Sequence, residues 1–521
     1  MIKTKYLNIL ILVFFSFFIN WYSANIGVLP IDTFGFFDTG YGILKGQLPI
    51  RDYWSYTGLT VDYFQSIFFL IFGNTWNSYI IHSSTLNVIS VLIFYFFLTH
   101  IIKTPKFFSL IYSLSFATLL YPVSGTPFAY LHAYILSLLG LMLFFIFYNT
   151  KNYKLLTVIP LIYFLAFFSM QTPTIYVGFV LLIFIIYLIL FKKELNLIKF
   201  LLLGTLISIL FLISYLFFTN TATKDFVNQY FLFPISIADT RIVSDADAYV
   251  KLKDQLNFKR LVGDFKLIHF FLVPLIFLIF KKYNKKKNEL FYISIVFVFS
   301  TILLIYNQLL QANQIYIFSL VPVLCALLHA NIATTESRNF TISWLLIIAV
   351  IGVSFKYHLR YNIDRKFIDI ENVNKKLGFQ SKELHKNFNG LKWLTNLKNS
   401  EEDKVFLQKT FKILKMENEK SYLITHYQFF STILDKKFYI LNRWYIWDNN
   451  SHPTENHKYF SYYKEFATRN FEKNKIKNIY LISERKEFSL NKIKNYFENK
   501  CFSSQNLIGD RLIKLSLKNC D

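Results

Sequence analysis

Apolar runs of membrane-spanning length recur from the N-terminus of this chain to about residue 355. A bilayer core takes roughly 17–25 consecutive apolar residues of helix, and helices survive there because they satisfy their own backbone polar groups. The fold class this dictates is a polytopic α-helical membrane protein, and a soluble globular fold is excluded. Candidate spans are 6–24, 76–99, 106–121, 127–149, 153–169, 173–191, 197–218, 267–280, 289–307, 312–330 and 340–356, about eleven in all. After residue 360 Lys, Asn, Glu and Tyr become frequent and no spanning run remains. Residues 1–358 therefore read as a transmembrane domain and 360–521 as a soluble C-terminal domain of ordinary size.

The net charge of +24 invites a nucleic-acid partner. Its placement argues otherwise, because much of the excess sits in short loops between spans and the rest is spread over the tail. The preference for Lys, Asn, Ile and Phe over Arg, Gly and Ala matches the coding bias of an AT-rich genome, so no nucleic acid is expected. The first segment, with Lys3 and Lys5 before its apolar core, has the order of a signal peptide. Its core is longer than usual and no small-x-small cleavage site follows, which favours a retained first helix.

Basic residues in short loops stay cytoplasmic. With the N-terminus inside, the inner loops hold Lys3/Lys5, Lys103/Lys106, Lys151/Lys154, Lys192/Lys193/Lys199, Lys281 to Lys287 and Arg338, whereas "YPVSGTP", "MQTP" and "NQLLQANQ" carry no Lys or Arg. Eleven passes put loop 25–75, loop 219–266 and the C-terminal domain outside, which in a bacterium is the periplasm.

Loop 25–75 gathers Asp32, Asp38, Arg51, Asp52 and Asp62 between two greasy segments. Residues 33–44 suit a short helix, "KGQLPIRDYW" a turn and extended chain, since Pro49 disfavours helical geometry at Leu48. From Thr60 a second helix follows, with Tyr63, Phe64, Ile67, Phe68 and Ile71 on one apolar face and Asp62 and Gln65 off it; such a helix rests in the interface. The tail alternates helix and strand signals, which predicts a small α/β sandwich. It contains no Gly-rich phosphate loop, nucleophile elbow or metal-ligand spacing. Cys325 reads as core. Cys501 and Cys520 pair in an oxidising compartment or remain as two thiols.

Asp32, then "YGILKGQLPIRDYW" with Gly46 fourteen residues after that Asp, then a helix closing on "FFLIFG", resembles the first periplasmic loop of the GT-C superfamily of membrane glycosyltransferases. That group includes protein O-mannosyltransferases and lipid A aminoarabinose transferases. The match covers Asp32, Leu44, Gly46, Pro49, Arg51, Asp52 and Phe72–Gly73; "FFSMQTPTIYV" and "LLQANQIYIFSLVPVL" resemble later outward-facing turns. Thr33 stands where many relatives have Glu, and Ile50 where Tyr is usual. Metal-using relatives carry a carboxylate in the second outer loop, which "YPVSGTP" lacks, so no cofactor is firmly implied.

The resemblance implies transfer of a sugar from a polyprenyl-phosphate donor in the bilayer to a periplasmic acceptor: glycan, lipid or protein. The acceptor hydroxyl loses a proton as it attacks, which calls for a carboxylate; the lipid phosphate leaves with negative charge, which calls for a fixed cation, and the planar fork of Arg suits phosphate. Asp32 is assigned as general base, with an N-cap role as the alternative. Asp52 either orients the acceptor or pairs with a nearby base. Arg51 is the donor-phosphate candidate, with Lys224, Arg241, Lys259 and Arg260 as rivals in loop 219–266. Asp38, about 120° around a helix from Asp32, reads as solvated or as a secondary substrate contact. Gln171, Gln308, Gln311 and Gln314 lie at outer span ends, where polar groups line a cavity or simply meet the interface. His82 and His132 lack further metal ligands. The competing functions are a polytopic transporter or lipid-linked glycan flippase, which calls for broken helices and midplane charges in related halves, and an assembly protein anchored by its membrane part.

Overall fold

The computed structural model describes residues 2–28, 30–120, 125–242, 256–282, 289–311, 316–333, 340–359, 375–395, 400–445, 449–483, 490–497 and 500–520, apart from some side chains at segment ends. Every candidate span that the sequence marks is helical over most of its described part, the helices of spans 127–149 and 312–330 starting at Ala129 and Leu320. In chain order come α1 (Ile2–Ala24), the three short helices of loop one, α2 (Pro30–Thr33), α3 (Phe37–Leu44) and α4 (Leu59–Phe72), then α5 (Trp76–Phe96), α6 (Lys106–Leu120), α7 (Ala129–Asn149), α8 (Val158–Ser169), α9 (Gln171–Lys192) and α10 (Asn196–Phe218). Loop four contributes α11 (Thr223–Val227) and α12 (Phe233–Ile242). Four further apolar helices follow at Lys266–Lys282, Glu289–Gln311, Leu320–Ala333 and Phe340–His358. Among the described residues, seven helices are long and apolar enough to cross a membrane by length and composition. The chain is thus membrane-type over its first two thirds, with a small sheet domain after it.

Burial follows the logic of a lipid-facing bundle. The central α7 is buried along most of its length, while α10 hides little besides Leu197, Gly204 and Ser208. Gly204 is required there, since a Cβ would meet the Thr157 carbonyl oxygen at 2.2 Å.

The tail holds a four-stranded sheet in the order β3 (Ser421–Thr425), β4 (Asn478–Ile482), β6 (Leu512–Lys518), β5 (Cys501–Ile508), after a two-residue pair, β1 (Phe379–Gln380) and β2 (Lys392–Trp393). β3 and β4 run parallel; β6 is antiparallel to both its neighbours. The segment "KFYIL" makes a single bridge, Tyr422 to Tyr439, and Cys501 begins a strand. Cys501 and Cys520 are disulfide-bonded, tying the start of β5 to the end of β6. Closing a loop of this size stabilises by about 3 kcal/mol. Cys501→Ser is expected to lose about that much, read as an earlier thermal transition of the tail, and the intact mass without reductant should be lower by two hydrogens.

Loop one and the tail share one core. Phe34 packs against Phe429 at 4.7 Å, Trp393 at 5.9 Å and Trp76 at 5.9 Å between ring centroids, and Phe36, Phe37, Tyr41 and Val61 bury into the same cluster. The chain entering loop one pairs with β2: Gly27 N–H donates to the Lys392 carbonyl and Val28 N–H to that of Leu394. Contact at this density fixes the tail on loop one rather than leaving it tethered beside it.

Candidate functional site

Loop one is built from two breaks in helical geometry. The helix expected over 33–44 divides into α2 and α3, because Phe34 and Phe36 turn inward between them. Gly46 reverses the chain with a positive φ of 77°, and Ile50 adopts φ 71° while fully buried. A β-branched residue there is strained by about 1–3 kcal/mol. It is held by Gln229, whose amide donates to the Ile50 carbonyl and accepts from Ser55 N–H, both at 2.9 Å. Loop four therefore clamps the strained residue that immediately precedes Arg51.

Arg51 and Asp52 form an ion pair, with Arg51 Nη2 2.5 Å from Asp52 Oδ2. Arg51 also donates to the carbonyls of Gly46 and Thr219 at 2.9 and 3.0 Å, joining loop one to the end of α10. Asp52 accepts from Leu48 N–H and from Lys473 Nζ at 2.9 Å. Burial pushes its carboxyl up, but Arg51, Leu48 and Lys473 outweigh that and hold it below the ordinary carboxylate range. Of the two roles open to Asp52, the geometry displays pairing with bases.

Asp62 makes the most buried charge contact described. Arg443 of the tail forks onto it, Nη1 to Oδ1 at 2.8 Å and Nη2 to Oδ2 at 2.7 Å, with both side chains almost wholly excluded from solvent. Tyr53 and Thr39 hydroxyls donate to the same carboxylate. The remaining Arg443 donors reach the carbonyls of Gly35 and Thr57 and the Ser55 hydroxyl, and its guanidinium lies 4.2 Å from the Phe36 ring centroid. Helix α4 thus turns its polar side inward: Asp62, Gln65, Ser66 and Phe69 are buried, whereas Ile67 and Ile71 are 49% and 64% exposed. Lipid explains the inversion, since the apolar face meets acyl chains and the charged face must find a partner in protein.

Asp38 is not solvated. It is buried and accepts from Ser431 N–H, Thr432 N–H and the Thr432 hydroxyl at the start of the helix Phe430–Leu434. Burial pushes its carboxyl up to about 6, against the pull of those donors. In loop four, Asp225 accepts from Tyr462 and pairs with Arg469 at 2.7 Å. Asp38, Asp52, Asp62 and Asp225 therefore all grip the tail.

Asp32 has a different setting. It lies within α2 instead of capping it, is half-buried, and its charge reaches Tyr316. Tyr316 packs on Phe128 and Tyr130 at 5.6 and 5.4 Å, and its N–H donates to Gln308. Asp32 thus lies within electrostatic range of Tyr316, while Arg51 engages Asp52, Gly46 and Thr219.

The other expected residues are mostly ties. Gln171 donates to the Tyr56 and Tyr230 carbonyls, and Gln311 to the Thr172 hydroxyl. Lys224 is exposed with its ammonium 5.1 Å from the Tyr462 ring centroid. Arg260 pairs with Asp264, Lys259 is exposed, and the Arg241 side chain and Gln314 lie outside the described residues. His82 and His132 meet through Nε2 at 3.1 Å, with Gln65 and the Phe128 carbonyl on their Nδ1 atoms. Among the described residues no three His, Cys, Asp or Glu side chains gather as a metal-ligand group. Ser236 and His457 touch at 3.0 Å, but His457 Nδ1 accepts from Tyr459 N–H, so its Nε2 carries the proton. A base activating Ser236 needs the opposite tautomer.

An apolar groove of about 280 Å³ opens between α4, α8 and α10, lined by Tyr63, Phe64, Phe164, Phe168, Phe211 and Tyr215 among others. The Tyr63 and Tyr215 rings meet edge to face at 5.7 Å, with their buried hydroxyls close enough to interact with each other. Tyr215 lies one turn before Thr219, the residue that holds Arg51, so a guanidinium stands at the head of the groove.

Asp62 and Arg443 escaped sequence reasoning because 381 positions separate them and "LNRWYIWDNN" matches no motif. A signal existed in α4, where an aspartate opposite a lipid-type face demands an inward cation. No family model matches the chain, and no curated protein matches it.

Proposed function

We propose that this protein is an integral-membrane glycosyltransferase of GT-C type that moves a sugar from a polyprenyl-phosphate donor to an acceptor outside the cytoplasm. The observation that carries this is the groove between α4, α8 and α10 with Arg51 at its head. An apolar slot between lipid-facing helices suits an isoprenoid chain, and a guanidinium at its polar end suits the phosphate that the chain carries. At about 280 Å³ it sits at the lower end of ligand pockets, which run roughly 300–1,000 Å³, and so suits one chain better than two acyl tails. Asp32, on the same loop, is the general base; strain at Ile50 is of the kind that collects at functional sites.

Topology supports the same reading. Contacts of the tail with both loop one and loop four require all three to lie on one side of the membrane. That demands an odd number of passes before the tail and an even number between the loops, which eleven spans with an inside N-terminus satisfy. The Cys501–Cys520 disulfide favours an oxidising compartment, the periplasm of a bacterium. A flippase reading lacks comparable support, because the charges described cluster at loop one, loop four and the tail. Deleting the gene is expected to lower the intact mass of one envelope glycan, lipid or glycoprotein by a single sugar residue; unchanged masses across all three classes would remove the assignment.

A further inference from the structure

Helix Phe460–Lys473 of the tail reaches loop one and loop four from one basic edge. Tyr462, Arg469 and Lys473 are spaced seven and four residues apart, within about 20° of one line along a helix. From that line Tyr462 and Arg469 reach Asp225 in loop four, and Lys473 reaches Asp52 in loop one. Asp52 pairs in turn with Arg51, and Lys224 sits over the Tyr462 ring. The outcome is two clusters on one helix edge, Arg51–Asp52–Lys473 and Arg469–Asp225–Tyr462 with Lys224 beside it, in which four cations meet two buried carboxylates while the exposed Glu465 and Glu472 share the helix.

Pairing the two buried carboxylates alone does not need four cations. Arg469 and Lys473 are 46% and 50% exposed although their carboxylate partners are almost wholly buried, and Lys224 has no carboxylate on it. Each cation therefore keeps a wet side while its partner is satisfied. Arg51 is held by Thr219, one turn of α10 beyond Tyr215 of the groove wall, and its charge acts on both Tyr63 and Tyr215.

We propose that the tail takes part in donor binding: Arg469 and Lys473, with Lys224, form with Arg51 a cationic rim that holds the phosphate of a single-chain polyprenyl lipid whose first units occupy the groove. This rests on the transferase reading, to which it adds a binding role for the C-terminal domain. Since phosphate could also come from bulk lipid, occupancy by a two-chain phospholipid is the alternative source that the test separates.

The test is equilibrium binding of a polyprenyl monophosphate to the full-length protein in neutral detergent, with phosphatidylglycerol as a parallel arm. Wild type should bind the polyprenyl phosphate and be displaced poorly by phosphatidylglycerol. Lys224→Gln, which strands no buried acid, should weaken binding several-fold, and Arg469→Gln with Lys473→Gln about tenfold or more, each lost charge-assisted contact being worth roughly that factor. Because the double variant leaves Asp52 and Asp225 short of partners, its thermal transition and membrane insertion are measured beside its binding, and weakened binding with both unchanged supports the rim. Asp32→Asn should bind normally. Equal binding by wild type, Lys224→Gln and the double variant would overturn the rim while leaving a lipid-phosphate enzyme intact. No binding by wild type would overturn the transferase reading itself, and preference for phosphatidylglycerol would reassign the groove to bulk lipid.

Discussion

Arg443→Met is expected to loosen the tail from the membrane helices and lower the stability of the outer half by about 3–5 kcal/mol, the usual consequence of stranding one member of a buried ion pair. Asp62 would keep only the Tyr53 and Thr39 hydroxyls, in a site where neither its own side chain nor that of Arg443 meets solvent. The loss should appear as a lower-temperature transition and as faster proteolysis between the membrane helices and the sheet domain. Replacing both partners, Asp62→Leu with Arg443→Met, should recover much of it, because an apolar pair of similar volume avoids the desolvation that a lone charge suffers. A melting temperature for Arg443→Met equal to that of wild type would show that the pair does not hold the two halves together.

The contrast between Asp62 and Asp32 shows what the chain discloses on its own. Span positions were legible because a bilayer imposes length and polarity together, and each marked segment is helical over most of its described part. The sheet domain was legible as alternating signals, although β5 was not: its "SSQN" centre lies on an exposed edge and carries no hydrophobic alternation. The roles of the acids were harder. Sequence reading took Asp38 as exposed and passed over Asp62, because their partners Thr432 and Arg443 lie nearly 400 residues away and belong to no motif. Charge clustered in loop one was correctly seen as purposeful. Much of that purpose is to seat the tail, which spacing within the loop cannot reveal.

Asp32→Asn carries the largest expected functional effect. The amide matches the carboxylate in shape but cannot take the acceptor proton, and loss of a positioned general base slows transfer by about 10²–10⁴-fold. Asp32 is half-buried in the four-residue helix α2, so the thermal transition of the variant is read beside its rate. Insertion, disulfide formation and polyprenyl-phosphate binding should all persist. Arg51→Gln should differ in kind: it frees Asp52 and the Thr219 carbonyl, weakening both the loop and donor binding. Loss of rate with folding and binding retained is therefore the signature that separates a base from a strut.

The most direct measurement is release of free polyprenyl phosphate from a sugar-loaded carrier, by purified wild-type protein and by Asp32→Asn, in the presence of an envelope extract as acceptor source. The account predicts turnover by wild type and, with equal protein folded and equal carrier bound, almost none by the variant. Release at the same rate from both, or from neither, would contradict it.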